Sequence, residues 1–260
     1  MIVRALCRSL YVCLALARSA LCYLFLRFRG QPDLLQRADW LHRSCKSVLD
    51  AMDIRCRVEG TAPSSGLLVA NHLSYLDILV LGATTPCCFV SKREVRKWPI
   101  FGLFGAIGGT LFLDRASRVS AARTATAIEQ RLTLSLPIVL FPEGTSTDGS
   151  TVLPFHSWLF EPLVECGACI TVASLRYQTD GNKSERDLCW FGDASFLPHL
   201  FSVLTGETIT VQICYGGQLI YEDRRKAARA TREAILALRE TVSLRQSIRL
   251  FAETEQEHPA

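Results

Sequence analysis

The sequence predicts a single α/β domain with a largely parallel central sheet flanked by helices, and three observations carry that prediction. Short, wholly apolar runs such as Leu67-Leu-Val-Ala70 and Pro137-Ile-Val-Leu-Phe141 read as strands buried on both faces. Segments with helical spacing alternate with them, the pattern of crossover connections between parallel strands. Two polar clusters follow these runs directly, at the carboxyl ends of strands, where open parallel sheets carry their sites.

Taken in order, residues 34–52 have the spacing of a helix that ends near Asp53. Ile54 to Glu59 alternates apolar and polar positions and reads as a strand. The loop Thr61-Ala-Pro-Ser-Ser-Gly66 breaks the chain before the Leu67–Ala70 strand. A helix is expected over 74–82, a strand over 89–91 and an Ala-rich helix over 115–134. Strands follow at 137–141, 170–177 and 208–215, then a charged helix over 222–240. Three regions result: residues 1–30 as a membrane-associating helix, 31–245 as the folded domain, and 246–260 as a frayed tail.

Residues 1–30 contain Arg4, Arg8, Arg18, Arg27 and Arg29 and no acidic residue. Placed at ~100° per residue, Arg4, Arg8, Arg18 and Arg29 fall within a sector of roughly 80°, and leucines fill much of the rest. The longest uncharged stretch, 9–17, is shorter than the ~20 residues of a spanning helix. Arg18 also interrupts what would be the core of a signal peptide. A cationic stripe on an apolar body suits a helix lying in the membrane interface, with guanidinium groups at anionic headgroups. A helix packed on its own domain with outward Arg side chains, and a spanning helix whose Arg side chains snorkel, remain the alternatives.

Hydrophobic residues make up 49% of the 260 and charged residues 21%, which excludes a disordered chain. A formal charge of +4 is too mild to argue for a nucleic-acid partner. The 11 cysteines are scattered and odd in number, so no disulfide framework is expected, and a reducing compartment fits. Cys166-Gly-Ala-Cys169 lies in an apolar run without a second pair, and buried structural thiols are the expectation there. No zinc-ligand spacing is present, and no metal is expected.

The first polar cluster is Asn71-His72-Leu73-Ser74-Tyr75-Leu76-Asp77. A His at a strand end with an Asp five residues on can work as a general base whose tautomer the carboxylate fixes. The alternative is structural, since Ser74-x-x-Asp77 also fits the start of a helix. The second cluster, Glu143-Gly144-Thr145-Ser146-Thr147, follows the 137–141 strand. No G-x-S-x-G elbow is present, so no covalent serine nucleophile is evident. A base without a protein nucleophile points to an attacking hydroxyl brought by a substrate, and so to group transfer.

Four blocks in order resemble the glycerolipid acyltransferases, the group that contains the 1-acylglycerol-3-phosphate acyltransferases. They are Asn71-His72-x-x-x-x-Asp77, Val90-Ser-Lys92-Arg-Glu94 with Pro99 and Gly102, Gly109-Thr-Leu-Phe-Leu-Asp-Arg115, and Phe141-Pro-Glu-Gly-Thr145. The resemblance covers roughly residues 65–180 and implies a glycerol-3-phosphate acyltransferase-like fold. By it, His72 is the general base and Asp77 its partner, while Lys92, Arg115, Glu143, Gly144 and Thr145 bind substrate. The implied reaction moves a fatty acyl group from acyl-CoA or acyl carrier protein, as co-substrate, to a lysolipid hydroxyl at the cytosolic face of a membrane. No cofactor is implied.

The implied acceptor is 1-acylglycerol-3-phosphate, in phospholipid biosynthesis. Ser146 stands where this family often has Arg, and Trp190-Phe-Gly-Asp193 with Pro198-His199-Leu200 resembles the branch that acylates lyso-ornithine lipids. Lyso-ornithine lipid is therefore the alternative acceptor. A non-catalytic lipid-binding protein is the alternative of another class.

Overall fold

A computed structural model of the chain describes residues 2–113 and 126–257, with 242–257 described by backbone alone. Its strands are β1 (Ile54–Glu59), β2 (Leu67–Ala70), β3 (Cys88–Lys92), β4 (Leu111–Leu113), β5 (Ile138–Leu140), β6 (Ile170–Thr179) and β7 (Ile209–Leu219). They form one sheet in the order β1-β7-β6-β2-β5-β3-β4. The five strands from β6 to β4 run parallel. β7 is antiparallel to β6, and β1 runs parallel to β7. The largely parallel sheet expected from the buried apolar runs is therefore present, with a reversed pair at one edge.

Side chains alternate across this sheet with period two, which builds two cores. Leu68, Ala70, Val139, Ala173, Leu175 and Tyr177 belong to one. Leu67, Val69, Ile138, Leu140, Ile170 and Val172 belong to the other. The first core is covered by helices α2 (Leu34–Met52), α3 (Leu76–Thr84) and α7 (Phe196–Thr205). The second is covered by a helical stretch at 126–132, α5 (Glu161–Glu165) and the long α8 (Arg224–Glu257). Helices α1 (Ile2–Phe28), α4 (Phe101–Gly108) and α6 (Glu185–Leu188) complete the set.

Several boundaries have a visible cause. A capping box between Asp33 and Gln36 starts α2, and Asp53 in the left-handed region, φ 56°, stops it. Helix α3 begins at Leu76 rather than Ser74, because the Asp77 carboxylate takes the amides of Leu73 and Ser74 and bends the chain ahead of the helix. Helix α8 continues to Glu257, through the segment 246–260 expected as tail. Its last stretch is rich in Glu and Gln and free of Gly and Pro up to that point, so nothing breaks the helix. The expected 115–134 helix lies partly outside the described residues. Helix α4 has no sequence signature, since Phe101-Gly-Leu-Phe-Gly-Ala-Ile-Gly is apolar all round.

The cysteines are free. Cys166 is exposed and Cys169 half-buried, contrary to the expectation of buried thiols, because both sit in the turn between α5 and β6, before the chain enters the sheet at Ile170.

The N-terminal helix also corrects its expected orientation. The cationic stripe does not face outward as a unit: Arg8 is buried, and its guanidinium lies 2.7 Å from the Asp53 carboxylate. It also donates to the carbonyls of Val203, Leu204 and Gly206, and Arg4 donates to Gly206 at 3.1 Å. These carbonyls end α7, where unpaired acceptors and the negative end of the helix dipole attract cations. Burial pushes the Asp53 carboxyl up, but hydrogen bonds from Thr208 and Arg8 and the charges of Arg8 and Arg55 outweigh it and hold the group below its ordinary value. The indole of Trp40 donates to the Ser19 carbonyl at 2.8 Å and completes the seam. Leu6, Leu10, Leu14, Leu21 and Phe25 are left exposed on the outer face. At 27 residues, about 40 Å, α1 is long and apolar enough to cross a membrane.

Candidate active site

At the carboxyl end of β2 the chain must leave the sheet without orphaning backbone groups, and Asn71 manages this. Its buried side-chain amide donates to the Leu175 carbonyl (3.2 Å) and accepts from the Leu175 amide (2.8 Å), which ties the end of β2 to β6. The next residue, His72, is thereby set at the mouth of the sheet.

The imidazole Nδ1 of His72 lies 2.7 Å from Oδ2 of Asp77. The same oxygen accepts from the amides of Leu73 (2.6 Å) and Ser74 (3.0 Å), and Oδ1 accepts from the Tyr177 hydroxyl at 2.6 Å. Asp77 is fully buried and surrounded by donors, so it acts as an acceptor toward His72 as well. That assigns the proton to Nδ1 and leaves Nε2 as the free lone pair. One carboxylate thus both holds the backbone ahead of α3 and contacts the imidazole. Phe141, at the end of β5, stacks on the imidazole at 4.3 Å between centroids and limits its rotation.

Glu143 sits on the neighbouring loop. Its Oε1 accepts the backbone amide of His72 at 2.7 Å and its Oε2 that of Leu153 at 2.8 Å. Burial raises its pKa to about 6, against the opposing pull of those two amides and of His72. The Thr147 amide and hydroxyl both reach the His72 carbonyl, at 2.9 and 3.3 Å. The two polar clusters are therefore hydrogen-bonded to each other through the backbone of His72.

A cavity of about 290 Å³ opens beside the imidazole. His72, Lys92, Gly144, Thr145, Ser146 and Trp190 are on its wall. Gly144 turns the chain there at φ 72°, a conformation that suits glycine. The sequence-predicted residues His72, Lys92, Gly144 and Thr145 are thus brought together. Glu143 lies behind the wall with both oxygens taken by backbone, and Arg115 lies outside the described residues. A second cavity of about 150 Å³, almost wholly apolar, lies alongside. It shares Tyr75, Ile78, Phe89, Ser91, Val95 and Phe101 with the first and extends to Val12, Val48 and Met52.

One residue at the site, Tyr177, was not singled out in the sequence, and another, Trp190, was marked there through the resemblance alone. Tyr177 lies in an apolar strand, where a tyrosine reads as packing. Trp190 stands on a loop whose amide donates to the Leu73 carbonyl (2.9 Å) and whose carbonyl accepts from Ser146 (2.5 Å). Its sequence signal is the resemblance of Trp190-Phe-Gly-Asp193 to the branch that acylates lyso-ornithine lipids.

Three comparisons bear on this geometry. The family model described as Acyltransferase matches residues 53–176. A lyso-ornithine lipid O-acyltransferase of Pseudomonas aeruginosa is 36% identical over 218 residues, covering 81% of each chain. A 1-acyl-sn-glycerol-3-phosphate acyltransferase of Neisseria meningitidis is 30% identical over 200 residues, 74% of this chain and 78% of that one. Among solved structures, the 1-acyl-sn-glycerophosphate acyltransferase of Thermotoga maritima superposes with a TM-score of 0.60 over 91% of this chain and 97% of that one, at 18% identity. The last likeness is one of fold.

Proposed function

The chain belongs to the acyltransferase family and is an acyltransferase, and on that premise we propose that His72 is its general base and lyso-ornithine lipid its acceptor. The observation that carries the proposal is the 2.7 Å contact of Nδ1 with a buried carboxylate, at the wall of a cavity that adjoins an apolar one. Nε2 takes the proton of the acceptor hydroxyl as its oxygen attacks the thioester carbonyl carbon. Asp77 stabilises the imidazolium that forms. The tetrahedral intermediate collapses with cleavage of the C–S bond, and the imidazolium proton passes to the departing thiolate. No acyl-enzyme is needed. The donor is an acyl thioester, carried by CoA or by acyl carrier protein, and its chain occupies the apolar cavity.

The choice of acceptor rests on Ser146, whose hydroxyl is spent on the Trp190 carbonyl at a position where an Arg would bring a cation to the cavity. The relatives at 36% and 34% identity, from Pseudomonas aeruginosa and Brucella abortus, carry the lyso-ornithine lipid name. Lys92 on the wall favours 1-acyl-sn-glycerol-3-phosphate as a second reading, since its ammonium suits a phosphate. Membrane association follows from the exposed apolar face of α1, and in this reading the enzyme works at the cytosolic face.

Thiol release from palmitoyl-CoA, with lyso-ornithine lipid, 1-acylglycerol-3-phosphate or no acceptor, tests this reading. Acceptor-dependent release that falls by about 10²–10⁴ in His72→Ala is expected. Unchanged transfer by that variant would remove His72 from the mechanism, and greater release with 1-acylglycerol-3-phosphate would reverse the choice of acceptor.

A further inference from the structure

The carboxylate of Asp77 has two oxygens, and only Oδ2 faces His72. Its other oxygen, Oδ1, accepts the hydroxyl of Tyr177 at 2.6 Å. We propose that Tyr177 is a positioning residue of acyl transfer, whose hydroxyl locks the rotamer of Asp77 and sets how strongly the His72–Asp77 pair holds a proton. The inference rests on the general-base reading of His72.

The sheet explains how a residue 100 positions away reaches Asp77. Strand β2 ends at Ala70, paired with Ala173, while β6 continues to Thr179 alongside β7. This overhang projects past the carboxyl end of β2. Ala173, Leu175 and Tyr177 share one face, so the third of them arrives beneath the first turn of α3, which carries Asp77. Tyr177 is 2% exposed and lines neither cavity, so it does not touch substrate.

Packing alone calls for a phenyl ring here. A buried hydroxyl is a desolvation cost unless it is bonded, and the partner it finds is a carboxylate that already serves the imidazole. Burial and the neighbouring Asp77 push the phenol's ionisation well above its ordinary range, so it remains a proton donor across the working pH range.

The ionisable surroundings are few and do not displace this contact. Glu143 approaches from the loop side but spends its oxygens on the amides of His72 and Leu153. Glu185 accepts from the Tyr177 amide and faces Arg239 and Arg176. Cys56 and Cys189 are thiols whose ionisation burial pushes up. Lys92 shares the cavity wall with His72, and Asp148 is paired with Arg186. Without the hydroxyl, Oδ1 is a buried acceptor with no donor, and the carboxylate, still held at Oδ2 by the amides of Leu73 and Ser74, recovers by drawing a proton more tightly. That makes the pair take up a proton at higher pH.

The test is a pH titration of the His72 imidazole by ¹⁵N NMR in the full chain, with Tyr177→Phe against wild type, so that the readout does not depend on turnover. The midpoint is expected to rise by about one pH unit, the size of one lost hydrogen bond to a charged group. With palmitoyl-CoA and lysolipid, kcat on the acid limb falls about tenfold while both KM values stay within about twofold. A midpoint equal to wild type would reduce Tyr177 to packing and overturn the inference. Should Tyr177→Phe fail to fold, site-specific 3-fluorotyrosine at 177, a stronger donor, is expected to lower the midpoint, and an unchanged or raised one overturns it. Failure of the general-base reading shows separately, as full transfer by His72→Ala.

Discussion

Oε1 of Glu143 accepts the backbone amide of His72 at 2.7 Å, joining the loop after β5 to the loop after β2. The contact is to the main chain, so Glu143 acts on where the imidazole stands rather than on its proton.

Glu143→Gln is therefore expected to lower kcat by about ten- to a hundredfold with little change in KM, because a carboxamide turns a donor toward one of the two amides. The same residue contributes a pH dependence. Its pKa is raised to about 6 from an ordinary value near 4.5. Between those values the folded state binds a proton that the unfolded state has released, so stability falls as pH rises through the window and levels above it. The size is about 2 kcal/mol. Urea unfolding of wild type and Glu143→Gln at pH 4.5 and 7 checks it: the variant lacks this component of the slope.

Arg8 ties α1 to Asp53 and to the end of α7. Arg8→Met keeps the aliphatic stem and loses the donors, and a cost of about 2 kcal/mol is expected, since the partner carboxylate is partly solvated. Thermal unfolding measures it, and a Tm equal to wild type would make the seam energetically idle.

Val48 lines the apolar cavity and is absent from the wall of the cavity beside His72. Val48→Phe fills part of the apolar cavity. Preference among acyl-CoA donors is expected to shift to shorter chains, at an overpacking cost of about 1–3 kcal/mol. Competition between octanoyl- and palmitoyl-CoA decides the matter, and an unaltered ratio would assign the acyl chain elsewhere.

Leu14 and Leu21 lie on the outer face of α1 and are more than half exposed. Leu14→Asp with Leu21→Asp is expected to reduce co-sedimentation with anionic vesicles severalfold, because each removes apolar area and adds repulsion. Tm should change by little, since both side chains are mostly exposed. Equal sedimentation would move the lipid contact away from this face.

Much of the site was readable because its residues are close in sequence or mark strand ends. His72 and Asp77 are five apart, and Glu143, Gly144 and Thr145 follow an apolar run that ends at a turn. Tyr177 was not readable, since its role depends on β6 outrunning β2, and no local pattern encodes the relative length of paired strands. The direction of Arg8 was misread for a related reason. A cationic stripe specifies a face of a helix but not what meets that face, and here it meets Asp53 and the free carbonyls of α7.

By itself the sequence determined the alternation of buried strands and helices, through apolar periodicity and turn residues that act over a few positions. It also determined which residues could accept a proton at the ends of those strands. Only the tertiary structure decided that Glu143 grips the backbone of His72, that Tyr177 closes the fourth contact on Asp77, and that α1 turns Arg8 inward. Those outcomes depend on hydrogen bonds between segments far apart in the chain, and a buried carboxylate takes whichever donors the packed sheet brings within reach.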